Sequence, residues 1–418
     1  MKALDMISAY RTVRGRSSSV CAPLTVDDHG VQSMPDVSPA KWHLAHTTWF
    51  FEMFVLERVS KWSPMFNSYY ESVGTRVERA RRGTVSRPTL DEIHAYRDVV
   101  DQRVERGITE LDHGILELGL HHEQQHQELM LTDLKHVLGT QPLQPAYRCD
   151  LRRGPTGALT PLQWIHFDEA LVEIGATDSG FAFDNERPRH RVLVPAFSLA
   201  ARPIANAEVL AFIADGGYTN PKYWLADGWA TVQREEWAAP LYWARVNDAW
   251  CLYDFGGVRE VDPSETACHL SYFEADAIAR WAGARLPTEA EWEHAATLSG
   301  LRPRDGHWAD DDRLHPRAAT AGLAQMFGDV WEWTSSSYSP YPGFAPIDRT
   351  LGGTLGGTLG GTLGEYNGKF MSGQMVLRGG SCLTPRGHVR ASYRNFFAPA
   401  TRWQMSGVRL AHDRGARR

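Results

Sequence analysis

Apolar positions in the first third of the chain recur at steps of three and four, whereas beyond about residue 160 they fall into brief alternating or continuous runs. The first texture is helical and the second is that of short strands. Ile93, Tyr96, Val100, Val104 and Ile108 form one such stripe, and Thr89-Leu90-Asp91-Glu92 ahead of them has the capping-box pattern that opens a helix. Ser38-Pro39 reads as an N-cap with proline at the first helical position and predicts a helix to about Val59. A further helix is expected from about Asp112 to Val137, stopping before Gly139, and a first one over about Ala3 to Ala22. Four helices predict an antiparallel bundle.

From Gly139 to Pro161 the chain is rich in Pro, Gly and basic residues and reads as a linker. It separates a helical domain over 1–150 from a second domain over 160–414. The second domain combines strand-like pieces, HRVLVPAFSLA and MVLRGGSC, with a few helical ones, EADAIARWAGA and PTEAEWEHAATL, and is expected to be α+β. Residues 350–366 repeat a Thr-Leu-Gly-Gly unit whose glycine content predicts a mobile surface loop.

Composition narrows the function. With 44 basic and 50 acidic side chains in 418 residues, a net charge of −6, no global basic field exists to hold nucleic acid or an anionic membrane. Cys21, Cys149, Cys251, Cys268 and Cys382 are scattered with no C-x-x-C pair, which fits a reducing, cytoplasmic setting. No apolar run reaches the 18 residues of a membrane span, so the protein is expected to be soluble.

The candidate chemistry lies in the fourth helix, where His122-Glu123-Gln124-Gln125-His126 spells the H-E-x-x-H pattern of a zinc site with a glutamate base. Its two histidines share a helical face with Ile115, Leu118, Leu129 and Asp133. Two inward-facing imidazoles are costly to desolvate without a ligand or partner. On the second predicted helix His46 shares a stripe with Trp42, Trp49 and Met53, so His46, His122 and His126 can converge on one metal from two helices. Three imidazoles leave coordination positions open for substrate or dioxygen. His43, His121 and Glu128 are expected to partner the ring N–H groups, with His43 the less favoured choice as a ligand. A zincin protease is disfavoured, because no H-x-x-G-x-x-H follows and the next glutamate after Glu128 is Glu169. A di-iron carboxylate site would need a second Glu-x-x-His, which this domain lacks.

WHLAHTTWFFE, FNSYYESVG and HHEQQHQELMLTDLKH resemble the DinB-like domain of the ergothioneine and ovothiol sulfoxide synthases. FDNERPRHRV, RLPTEAEWE, GDVWEWTSS, EYNGKFM, VLRGGSC and YRNFFAPATRWQMSGVRLA resemble their formylglycine-generating-enzyme-like, C-type-lectin-related domain. The resemblance implies a non-haem Fe(II) held by His46, His122 and His126. It also implies O2-dependent joining of a thiol sulfur to the imidazole carbon of hercynine, the trimethylated betaine of histidine, with oxidation to a sulfoxide. Gln125 matches a residue that contacts the imidazole and Asn395 one that holds the betaine end. Phe396, Phe397 and Trp403 are candidates for the quaternary ammonium through cation–π attraction. Arg82 and Arg87 match positions for the carboxylate of the sulfur donor. The catalytic tyrosine is Tyr366, Tyr69 or Tyr70.

Two departures bear on the donor. Relatives that use γ-glutamylcysteine carry an acidic residue in the segment matching RNFF, where this chain has Phe396 and Phe397, which favours free cysteine. Ser372-Gly373 stands where many relatives carry Cys-Asn. A rebuilt donor pocket leaves selenoneine synthase, a sister family joining a selenosugar to hercynine, as the main alternative. Histidine-using ovothiol-type synthases, DinB-type thiol transferases and a non-catalytic lectin-like module are further options. A formylglycine-generating activity would need a late cysteine pair, and Cys382 stands alone there.

Overall fold

The computed structural model describes residues 3–59, 61–152, 157–346 and 366–414; most of the Thr-Leu-Gly-Gly repeat lies outside them. The chain forms two compact units, Met1–Tyr147 with Ala345–Gly368, and Arg148–Phe344 with Lys369–Arg418.

The first unit holds four long helices, α1 (Ala3–Cys21), α2 (Ala40–Phe50), α3 (Leu90–Gly107) and α4 (His113–Thr140). Two of them open on side-chain caps. The α3 capping box is formed by Thr89 and Glu92, and the Asp112 side chain caps α4 by accepting from the backbone N–H groups of Gly114 and Ile115. Met6, Tyr10 and Val13 of α1 pack with Phe51, Val55, Val100, Val104, Leu116 and Leu120 in the core. Gly119 matters to this packing, since a Cβ there would lie 2.7 Å from the Phe51 ring. Its absence lets α4 approach α2 one turn before His122.

Three boundaries differ from expectation. Ser38 does not cap α2, which starts at Ala40 after Pro39, because its N–H donates to Asp133 and its hydroxyl accepts from Arg82. Instead of continuing to Val59, α2 widens into a π-helical turn over Phe51–Val55, closed by the Leu56 N–H on the Phe51 carbonyl and left through Glu57 at φ +50°. Gly139 is buried inside α4 and does not stop it. The stop falls at Gln141, extended at φ −67° and ψ 137° because Pro142 disfavours helical geometry in the residue before it. The interdomain stretch therefore starts later than Gly139, and Tyr147 is still tied to the first unit by its hydroxyl on the Val20 carbonyl.

The second unit is α+β. Its central sheet has four strands in the order Asn395–Phe397, Met375–Arg378, Trp331–Ser337, Ser406–Gly407. A three-stranded sheet of Trp164–Phe167, Phe197–Ala200 and Ala411–Asp413, a second three-stranded sheet and a two-stranded one accompany it, with helices Tyr272–Trp281 and Glu289–Leu298 started by capping boxes at Ser271 and Thr288. Buried tryptophans and ion pairs compensate for the short strands: Arg409 grips Glu332 at 2.7 and 2.8 Å while Trp292 Nε1 donates to the same carboxylate. Among the described residues no helix is long and apolar enough to cross a membrane.

Candidate metal centre

His46 on α2 and His122 and His126 on α4 meet inside the first unit, each offering a ring nitrogen within 4.8 Å of the others. The His46 proton is fixed by chemistry: Nδ1 lies 2.7 Å from the Phe66 carbonyl, which can only accept, so Nδ1 donates and Nε2 is a lone pair. That lone pair faces His122 Nε2 at 3.2 Å. Two nitrogens bound about 2.0–2.1 Å from one metal at 90–110° stand about 2.9–3.4 Å apart, so the spacing suits a shared cation. His122 Nδ1 is buried with no hydrogen-bond partner among the described residues, a cost of about 1–3 kcal/mol that a purely structural histidine would not be selected to carry. The donor set therefore fits a metal ion.

Aromatic rings fix the imidazole planes. His46 is stacked between Trp42, at 4.6 Å and 12°, and Trp49, at 5.6 Å and 20°, while His122 lies on Phe50 at 4.2 Å and 24°. Burial drives all three imidazoles towards their neutral form, His122 down to about 3, and the crowding of rings adds to the shift at His46 and His126. Neutral imidazoles are what a metal needs. His43 completes their surroundings, its Nδ1 2.9 Å from His126 Nδ1 and its Nε2 3.0 Å from Asp133 Oδ2.

Glu123 of the H-E-x-x-H pattern points elsewhere. Fully buried, it takes hydrogen bonds from Arg14 at 2.9 Å, Ser17 at 2.6 Å and Arg97 at 3.3 Å. Burial alone would raise its pKa, but Arg14, Arg97 and Ser17 outweigh that and hold it at about 2. A carboxylate so occupied is no general base, and the match to the protease pattern is coincidental.

Beside the histidines the Tyr366 hydroxyl donates to Gln125 Oε1 at 2.5 Å, and its ring centre is 5.9 Å from that of His122. Tyr366 is 4% exposed. Tyr70 instead packs its ring on Trp49, Phe54 and Tyr69. The Tyr366 ring thus reaches a candidate ligand.

The DinB superfamily matches residues 9–130, and the sulfatase-modifying factor enzyme 1-like domain matches residues 166–321 and 313–414. The chain is 33% identical over 412 residues to the hercynine oxygenase of Mycolicibacterium thermoresistibile, covering 91% of this chain and 88% of that protein. It is 34% identical over 419 residues to the hercynine oxygenase of Mycolicibacterium smegmatis, covering 91% and 92%. Ergothioneine biosynthesis protein 1 of Schizosaccharomyces pombe is 28% identical over 247 residues, which is 56% of this chain and 28% of that one. The chain belongs to the hercynine oxygenase family.

In this member of the hercynine oxygenase family the two candidate arginines have different surroundings. Arg82 is 5% exposed, its guanidinium 3.4 Å above the Trp42 ring that stacks on His46, and Nη1 donates to Ser38 Oγ. Among the described residues no carboxylate pairs with it, and burial pushes its pKa down. Its inward placement is set by Gln32, whose amide accepts from Gly83 N–H and donates to the Arg79 carbonyl. Arg87 is exposed and donates to the neighbouring Ser86 carbonyl.

In the second unit Asn395, Phe396 and Phe397 form a half-buried edge strand. Phe396 stacks on Tyr338 at 4.0 Å and 10° and Phe397 meets Trp403 at 6.5 Å. The Asn395 side chain accepts from the Phe396 N–H. Gly373 stands at φ +68°, which explains why glycine or asparagine suits that position. Sequence reasoning named His43 among the partners of the ring N–H groups, and it stands against His126, but it gave no role to Asp133 beyond its place on the histidine face. The spacing of His43 and His46, three apart on one helix, was the available signal.

Proposed function

We propose that this protein joins the imidazole of hercynine to a small thiol, with Fe(II) and dioxygen, and releases a sulfoxide. The observation that carries the reading is the set of three neutral imidazoles whose ring nitrogens converge beside the Tyr366–Gln125 hydrogen bond. Fe(II) held by His46, His122 and His126 would supply the activation of dioxygen. The electron count needs no further cofactor: carbon–sulfur bond formation and sulfur oxygenation each release two electrons, together the four that dioxygen accepts.

The chain's own residues supply the rest. Tyr366 holds a transferable proton at its hydroxyl, and the Gln125 acceptor orients it. Gln125, between the two α4 ligands, contacts the substrate imidazole. Arg82 is a buried guanidinium with no paired carboxylate among the described residues, and a donor carboxylate would complete it with a charge-assisted pair. Asn395 takes the betaine end of hercynine, and the faces of Phe396, Phe397 and Trp403 suit its quaternary ammonium. The apolar Phe396 and Phe397 favour cysteine over γ-glutamylcysteine. Residues 1–150 carry the metal, and 160–414 form the second domain apart from 345–368, which belong to the first unit.

The test is an anaerobically Fe(II)-loaded assay with hercynine, to which dioxygen is admitted with cysteine, γ-glutamylcysteine or a selenosugar in parallel, products being read by mass. A cysteine sulfoxide adduct supports the proposal. A selenium adduct alone moves the assignment to selenoneine synthesis, and no adduct with any donor while Fe(II) binds removes hercynine as the acceptor.

A further inference from the structure

The three candidate ligands differ in what holds the far side of each ring. His46 is locked by the Phe66 carbonyl, His122 by no hydrogen bond among the described residues, and His126 by another imidazole. We propose that His43 and Asp133 act together as positioning residues that fix His126 as an Nε2 ligand. The inference rests on the metal reading above and adds residues to it.

The protons follow from one end. Asp133 Oδ2 accepts from the Ser38 N–H at 2.7 Å and lies 3.0 Å from His43 Nε2 in a buried setting where water does not compete. As a carboxylate it accepts both, so His43 carries its proton on Nε2 and presents a lone pair at Nδ1. The ring nitrogen 2.9 Å from that lone pair is His126 Nδ1, which must then be the donor. His126 is left with its lone pair on Nε2, in the ring that packs 4.6 Å from both His46 and His122. Each link forces the next, and the carboxylate charge at the far end strengthens His126 as a donor to a cation.

The helices make this arrangement possible. His43 and His46 sit three apart on α2, and His126 and Asp133 seven apart on α4, so each pair shares a face. The Trp42 ring edge packs on His43 at 5.7 Å, which limits its rotation. Ser38 brings the Arg82 guanidinium to the same chain through its hydroxyl, while its N–H holds Asp133.

His43→Phe removes the acceptor for His126, His43→Gln restores both an acceptor for it and a donor to Asp133, and Asp133→Asn keeps the volume while removing the charge. Two measurements are made on the full chain. Nitrogen-15 shifts of histidine-labelled, metal-free protein report the His126 tautomer, and competition with a chelator reports Fe(II) affinity. In the wild type the His126 proton is expected on Nδ1, and in His43→Phe it should redistribute. Fe(II) affinity should fall about 10–100-fold in His43→Phe and about 10-fold in Asp133→Asn, and recover to within about threefold in His43→Gln, the metal-free melting temperatures staying close. A His126 proton found on Nε2, or wild-type affinity in a folded His43→Phe or Asp133→Asn, overturns the proposal. Wild-type protein that binds no Fe(II) while its His126 proton sits on Nδ1 overturns the metal reading, and with it the ligand role given to His126.

Discussion

Two buried polar clusters share the α4 helix, and they differ in what would complete them. Around Glu123 the protein supplies everything: two guanidiniums and a hydroxyl converge on one carboxylate. Around His122 and His126 it supplies ring orientation and burial but leaves two imidazole nitrogens, of His46 and His122, facing one another at 3.2 Å. Adjacent residues of one motif therefore serve different ends. A buried polar group that is completed internally is a structural element, whereas a set that is oriented but incomplete calls for a ligand.

The contrast breaks most visibly at the ligands. His122→Ala is expected to abolish stoichiometric Fe(II) binding and reduce turnover below detection, measured by metal analysis and the hercynine assay. Retention of full metal content would show that the lone pairs have another purpose. Next comes Glu123→Gln, which leaves Arg14 and Arg97 without their counter-charge. Breaking such a pair from one side costs about 3–5 kcal/mol, to be read from urea unfolding, while the folded fraction at low temperature should still bind Fe(II). Loss of metal with undiminished stability would make Glu123 part of the site after all.

A smaller effect separates binding from chemistry within the histidine cluster. Tyr366→Phe removes the hydroxyl from Gln125 but keeps the ring, so Fe(II) affinity should hold while kcat falls about 100-fold. Unchanged turnover would return the role to Tyr69 or Tyr70.

The two clusters were unequally legible in the sequence. Helix periodicity placed His46, His122 and His126 on inward faces because burial follows the 3.6-residue repeat, and the Thr89 capping box is a local signal that the backbone obeys. The motif alone could not say that Glu123 turns to α1, since its partners Arg14 and Arg97 lie 109 and 26 residues away. Tyr366 meets Gln125 across 241 residues, beyond any periodic signal. The π turn at Phe51 and the run of α4 through Gly139 are tertiary outcomes: packing at Gly119 and the position of Pro142 override the local expectation.

Acid should distinguish the clusters by where each begins to lose stability, at about 1.4 kcal/mol per pH unit for each group. Both groups have folded-state pKa values below their ordinary ones: His122 about 3 against 6.5, Glu123 about 2 against 4.5. In each window the unfolded chain binds a proton that the folded one refuses, so stability falls as pH falls. For His122 the loss starts near pH 6.5 and continues towards 3, and for Glu123 it starts near 4.5 and continues towards 2. Urea midpoints of the metal-free protein should therefore decline between pH 6.5 and 4.5, where Glu123 contributes nothing, and His122→Asn should flatten part of that decline while Glu123→Gln leaves its slope unchanged. A midpoint that is level down to pH 4.5 would mean that the histidines protonate as readily folded as unfolded, and the neutral lone-pair cluster on which the metal reading depends would be lost.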